Sequence, residues 1–385
     1  MASSRKSSLV TAHNSPIIRR GSRLLALLLM LSAFRWAQQD PSGYPQQFES
    51  DWSVPDFTFK SGERLPQLRL HYITLGSAAR DAAGHVRNAV LILHGTGGTG
   101  RSFLTAEFGG ELFGNGQPLD ATHYYIILPD AIGTGGSSKP SDALRMEFPH
   151  YRYDDMVRAQ YLLVHDGLKV DHLRLVLGTS QGGMHTWLWG ESYPDFMDAL
   201  MPLASTPVEI AGRNRMTRTM AIQAIKNDPD WKNGEYSRQP RGLIAARNIR
   251  SIMTGSALQF QKSNPTAEKA DTAVEALAKA ALRLDANDMI YQYEASTDYN
   301  PSPMLEKIQA PLLAINSADD EINPPELGIL EREIQSVKRG RYILIPLSDQ
   351  TRGHQTYNRA VLWKNHLLEL LHISEPQSGA PAARN

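Results

Sequence analysis

Gly178-Thr179-Ser180-Gln181-Gly182-Gly183 lies between an apolar run, Leu173-Arg174-Leu175-Val176-Leu177, and a helix-compatible segment, Met184-His185-Thr186-Trp187-Leu188-Trp189-Gly190-Glu191. This order predicts a strand, a sharp turn with a serine at its apex, and a helix. The flanking glycines have a steric role, because side chains beside so tight a turn would collide with the strand or the helix. Such a turn leaves the Ser180 hydroxyl exposed at the carboxyl edge of a sheet, where a nucleophile is useful.

Working outward, short apolar runs recur at intervals that leave room for helices between them: Ala89 to His94, Tyr124 to Leu128, Leu173 to Leu177, Ala199 to Leu203, Pro311 to Ile315 and Tyr342 to Ile345. They are continuous rather than alternating, which predicts a mostly parallel sheet covered by helices on both faces. Phe57-Thr58-Phe59 and Leu68 to Thr74 alternate around Ser61-Gly62-Glu63 and read as two further strands. Tyr153 to Leu168 and Ala360 to Leu371 read as amphipathic helices. Between residues 206 and 303 no strand-like run occurs, and the sequence there is rich in Ala, Arg, Met and Gln. The expected organisation is a sheet domain over 38–205 and 304–385, with a helical cap inserted at 206–303.

Bulk composition narrows the function. The 385 residues suffice for one large α/β domain or two smaller ones. Forty Lys and Arg balance forty Asp and Glu, so no global field gathers nucleic acid or anionic lipid. The absence of cysteine excludes thiol catalysis, thiolate metal sites and disulfides. Arg19, Arg20 and Arg23 precede the apolar run Leu24 to Phe34, which reads as an export signal over residues 1–37. Cleavage is expected after Ala33 or Ala37, with an uncleaved anchor as the alternative. The run is shorter than the about 20 residues of a membrane span.

Serine needs a base to take its proton and an acid to orient that base. In this sheet architecture the acid and the histidine sit on loops after later strands. After Ile315 the chain reads Asn316-Ser317-Ala318-Asp319-Asp320-Glu321-Ile322-Asn323-Pro324. Asp320 is selected because hydrolases of this architecture commonly carry a proline four residues after the acid, here Pro324; Asp319 is the alternative. After Ile345, Arg352-Gly353-His354-Gln355 supplies the base, His354, with a glycine that lets the loop approach the serine. An oxyanion needs backbone N–H donors. Gln181 supplies one and the loop His94-Gly95-Thr96-Gly97-Gly98-Thr99-Gly100 the other, from Thr96 or Gly97. That loop lacks both the P-loop ending and the dinucleotide glycine spacing, and His94 reads as a brace for it.

At these residues the chain resembles a known family. Gly178 to Met184 with Tyr193-Pro194-Asp195, and the cap stretch Ala224 to Tyr236 around Asn227-Asp228-Pro229-Asp230-Trp231, are similar to the homoserine O-acetyltransferases of the α/β-hydrolase superfamily. The acid loop through Pro324-Pro325 and the pair Gly353-His354 match in order and spacing, and the resemblance runs from Asp51 to Leu371. It implies an α/β-hydrolase fold with an inserted cap and an acyl-enzyme mechanism through Ser180, His354 and Asp320. It also implies a substrate site reaching Gly97 and the positions of Ile222 and Gln355. At those last two positions the family carries an arginine and an aspartate for the carboxylate and ammonium of homoserine, and this chain carries neither. The expectation is therefore hydrolysis of a small-molecule ester, with O-acyl transfer from acyl-CoA as the alternative and a non-catalytic binding protein third. No cofactor, metal or nucleic acid is expected, and a homodimer is left open. Arg213, Arg215 and Arg218 of the cap read as a solvated helical face rather than an anion receptor.

Overall fold

The computed structural model describes residues 46–375. The export segment read at residues 1–37 lies outside them. Eight strands form one sheet: β1 (Phe48–Thr58), β2 (Arg64–Leu75), β3 (Ala89–Leu93), β4 (Tyr125–Pro129), β5 (Leu175–Thr179), β6 (Leu200–Leu203), β7 (Leu312–Ser317) and β8 (Gly340–Ile345). Their spatial order is β1-β2-β4-β3-β5-β6-β7-β8. β1 pairs antiparallel with β2 and β2 antiparallel with β4, and every other pairing is parallel. β1 reaches nine residues further toward the N-terminus than its alternation suggested, starting at Phe48 where the reading began at Phe57. It is an edge strand with mostly exposed or half-buried side chains, so its backbone pairing with β2 leaves little apolar period in the sequence.

The continuous apolar runs are explained by burial on both sides of the sheet. In β3, Ala89, Leu91 and Leu93 pack into one core while Val90 and Ile92 pack into another. β7 divides in the same way, Leu312 and Ala314 from Leu313 and Ile315. The first core is closed by α2 (Tyr153–Leu162) and α3 (Gln181–Ser192) through Met156, Met184 and Trp187. The second is closed by the short α1 (Gly109–Leu112) and by α10 (Lys364–Ile373) through Leu112, Leu367 and Leu370. The helix expected over Ala360 to Leu371 is interrupted at Trp363, whose φ is −135°. Its indole is buried, stacks edge-on to Phe108 at 5.6 Å and donates to the Tyr357 carbonyl at 3.0 Å, and this anchoring outweighs helical continuity.

Five helices lie between β6 and β7: α4 (Gly212–Lys226), α5 (Gly242–Thr254), α6 (Ala257–Ser263), α7 (Ala267–Ala281) and α8 (Ala286–Glu294). α4, α5 and α8 bury a core of their own around Ile225, Trp231, Leu243 and Ile290. Asp288 of α8 accepts from the Ser141 N–H and Oγ–H at 2.8 and 2.7 Å, and Gln292 donates to the Gly133 carbonyl at 2.8 Å. The helical layer is thereby fastened to the loop after β4. A last short helix, α9 (Ile329–Glu333), precedes β8.

Candidate active site

Ser180 stands between the end of β5 and the start of α3 with φ 54° and ψ −115°, a region that non-glycine residues rarely occupy. The strain is held from both sides. The Ser180 N–H donates to the Leu203 carbonyl of β6 at 2.8 Å, and its carbonyl accepts from the Met184 N–H at 2.9 Å. The turn closes so tightly that a Cβ on Gly178 would stand 2.0 Å from the Gly182 carbonyl oxygen, and one on Gly182 would stand 2.0 Å from that of Leu93. Because both obstacles are backbone, Gly182→Ala is expected to cost about 3 kcal/mol or more of stability, at or beyond the upper end of overpacking penalties. A thermal unfolding midpoint equal to the parent's would contradict this reading of the turn.

His354 lies on the loop after β8. Its Nε2 is 2.8 Å from Ser180 Oγ, and its Nδ1 lies 3.0 and 2.9 Å from the two carboxylate oxygens of Asp320. The network assigns Nδ1–H as donor to Asp320 and Nε2 as acceptor from the serine hydroxyl. Both His354 and Asp320 are buried. Burial pushes the Asp320 carboxyl up, but the His354 charge and the hydrogen bonds from His354 and Asn323 outweigh it and hold the group below the usual carboxylate range. Asp320 Oδ1 accepts from the N–H groups of Ile322 and Asn323 at 2.8 and 3.0 Å, and Asn323 Nδ2 donates to Oδ2 at 3.1 Å. Asp319, the alternative acid, points elsewhere. It accepts from Ser317 Oγ at 2.5 Å and from the Gly353 N–H at 2.9 Å, so it steadies the loop that carries His354.

The glycine loop after β3 is packed against the serine, since a Cβ on Gly95 would be 3.2 Å from Ser180 Cβ. His94 braces it: Nδ1–H donates to the Gly95 carbonyl at 2.8 Å while Nε2 accepts from the Ala131 N–H at 3.0 Å. That arrangement requires the neutral ring, and burial moves its pKa down. Gln181 is the first residue of α3, so its N–H has no carbonyl four residues back within the helix. Thr96 accepts at its carbonyl from Arg250 of α5. Asp130, at the end of β4, accepts from the N–H groups of Gly100 and Gly136 at 2.7 and 2.8 Å and ties the two glycine loops together. Neither Asp130 nor Arg250 was singled out from sequence. The Pro129-Asp130 step directly after a strand was the available signal for the first, and nothing local marks the second.

A cavity of about 40 Å³ opens at Ser180 and His354, lined also by Thr96, Arg218, Arg250 and Tyr293. Gly97 is not on its wall but lines a larger neighbouring cavity of about 500 Å³ with Arg247, Arg250 and Arg283. Gln355 lines a third, of about 370 Å³, and accepts from Asn358 Nδ2 at 2.8 Å. Ile222 packs half-buried on the core of the helical layer and lines none of these three. The structure thus gathers Ser180, His354, Asp320 and Thr96 at one point and leaves Ile222 and Gln355 off it. The three cap arginines do not form one solvated face. Arg213 pairs with Glu321 at 2.5 Å, but Arg218 is buried, because α4 turns that side toward the serine cavity.

An eight-stranded, mostly parallel sheet with helices on both faces and a serine at the strand–helix turn defines a class of enzyme scaffolds that host many chemistries. The family model described as alpha/beta hydrolase fold matches residues 88–346, and the chain belongs to that family. Homoserine O-acetyltransferases are among the proteins it is similar to in sequence. It is 27% identical over 314 residues to a probable acyltransferase of Methanothermobacter thermautotrophicus, covering 80% of this chain and 93% of that one. It is 35% identical over 212 residues to the homoserine O-acetyltransferase of Moorella thermoacetica, covering 49% of this chain and 54%, about half, of that protein. Among solved structures, esterase E22 superposes with a TM-score of 0.73 at 19% identity over 85% of this chain and 100% of the other, a likeness of fold.

Proposed function

We propose that the protein is a serine-dependent ester hydrolase working through an acyl-enzyme. The observation that carries this reading is the unbroken chain from Ser180 Oγ through the His354 ring to the Asp320 carboxylate, with contacts of 2.8 to 3.0 Å. Ser180 Oγ attacks the ester carbonyl and its proton passes to His354 Nε2. The N–H groups of Gln181 and Thr96 stabilise the oxyanion. On collapse the C–O bond to the alcohol breaks, and His354 returns the proton to the leaving oxygen. Water then gives a proton to His354 and attacks the acyl-enzyme, releasing the carboxylic acid and restoring the serine hydroxyl. Asp320 holds the Nδ1–H tautomer and balances the imidazolium formed in each half-reaction. Export is part of the proposal and rests on the basic and apolar pattern of residues 19–34 alone.

O-acyl transfer from acyl-CoA to an alcohol is the second reading, favoured by the names of the relatives above. It uses the same residues and differs in the donor, a thioester whose C–S bond breaks to release the CoA thiol, and in the acceptor, an alcohol rather than water resolving the acyl-enzyme. The two are separated by supplying 4-nitrophenyl acetate alone, and acetyl-CoA with homoserine, to protein beginning at Asp40. Turnover of the first with no thiol release from the second is expected. Homoserine-dependent thiol release faster than ester hydrolysis would replace hydrolysis by transfer.

A further inference from the structure

We infer that the ester taken by this site carries one negative charge and no ammonium, and that Arg218 selects it. The inference rests on the Ser180 chemistry proposed above and adds the class of substrate. Arg218 of α4 is 7% exposed and lines the same cavity as Ser180 and His354. Its contacts are all neutral: Nε–H donates to Asn214 Oδ1 at 3.0 Å, Nη1–H to Ser296 Oγ at 3.1 Å, and the guanidinium carbon stands 5.7 Å from the centre of the Tyr293 ring. Among the described residues no carboxylate pairs with it, and its Nη2 has no hydrogen-bond partner. The same helix shows the contrast. Arg213 pairs with Glu321 and Lys226 with Glu294, whereas among the described residues neither the half-buried Arg215 nor the buried Arg218 pairs with an acid, and of these two only Arg218 lines the cavity.

A cation removed from water without a counter-charge is costly, and the cost is recovered when a ligand brings the anion. The free edge of a guanidinium is matched to a carboxylate, which can accept two parallel N–H bonds. Arg250 adds a second positive group on the same wall, directed at the Thr96 carbonyl. No aspartate or glutamate is among the described residues lining the cavity, so an ammonium on the substrate would find no partner there. The site therefore suits the ester of a hydroxy acid or the half-ester of a dicarboxylic acid, both with a single charge.

The test compares substrates that differ only in charge, in the parent, R218Q and R218K. Acetate release is followed from 4-acetoxybutyrate, its neutral amide 4-acetoxybutyramide and zwitterionic O-acetylhomoserine. A second series, 4-nitrophenyl hydrogen glutarate against 4-nitrophenyl valerate, moves the charge to the acyl side. The parent is expected to prefer the anion over the neutral analogue in one series by about 100-fold in kcat/KM, carried by KM. R218Q should erase that ratio and R218K should recover part of it, since lysine keeps the charge but not the fork. Each ratio is internal to one variant, so a misfolded fraction cancels. If R218Q cannot be purified, R218K and inhibition of the parent by butyrate against butyramide decide the matter. Equal anion-to-neutral ratios in parent and variants, in both series, overturn the proposal. A preference for O-acetylhomoserine over 4-acetoxybutyrate overturns its single-charge part. If the parent cleaves none of these esters, the hydrolase reading fails instead. Calorimetric binding of 4-hydroxybutyrate to the parent and R218Q then still decides for or against Arg218.

Discussion

Replacing Ser180 by alanine is expected to lower kcat for a chromogenic short-chain ester by about 10⁴-fold or more, leaving only what oxyanion donors and binding provide. The expectation follows from position rather than residue type. Ser180 is at the apex of a turn held at positive φ, with its hydroxyl 2.8 Å from a buried imidazole that is itself oriented by a buried carboxylate. Removing Oγ removes the only atom in that chain able to form the acyl-enzyme, and His354 is left with no proton to accept. The backbone bonds that hold the turn, to Leu203 and from Met184, do not involve the side chain, so the fold should persist. Two measurements check this: the steady-state rate, and the mass increase after treatment with a fluorophosphonate, expected in the parent and absent in S180A. Equal hydrolysis by the two proteins would remove Ser180 from the mechanism.

The second large effect is expected at Asp320. D320N should lower kcat by about 10⁴-fold, because an amide facing Nδ1 no longer fixes the tautomer or balances the imidazolium. D319N should cost far less, about tenfold or below, since its amide oxygen can still accept from the Gly353 N–H and only the loop's anchoring weakens. A larger loss in D319N than in D320N would reverse the two roles. Stability provides an independent check. The Asp320 carboxyl is held below its unfolded value, so its contribution is full above a pH of about 4 and is lost as pH falls through the folded value. The parent should therefore lose stability on acidification below about pH 4 more steeply than D320N, measured by denaturant midpoints across that range.

The adjacent aspartates show where reading a sequence stops. Two identical side chains one residue apart offer the same chemistry, and only the turn after β7 decides that one faces the His354 ring and the other the Gly353 amide. The arginines of α4 show the same limit. Arg213, Arg215 and Arg218 are alike in a polar stretch, yet the packing of α4 against α5 and α8 buries the last and leaves the first at an exposed ion pair. Ile222 illustrates the converse, since its place in the chain suggested the substrate and its packing serves the cap's own core.

What the sequence determined by itself is local or repetitive: apolar runs that must be buried on both sides, the glycines demanded by a turn with no room for Cβ, and the order in which serine, acid and histidine follow their strands. These are legible because each depends on neighbours within a few residues or on a period. What only the tertiary structure decided is which distant groups share a cavity: Arg218 and Arg250 with Ser180, Asp130 with two glycine loops, Gln355 with a different pocket. The arginines are brought there by how the helices between β6 and β7 pack on one another and fasten to the loop after β4, and the loops by which strands lie side by side in the sheet, neither of which leaves a period to read.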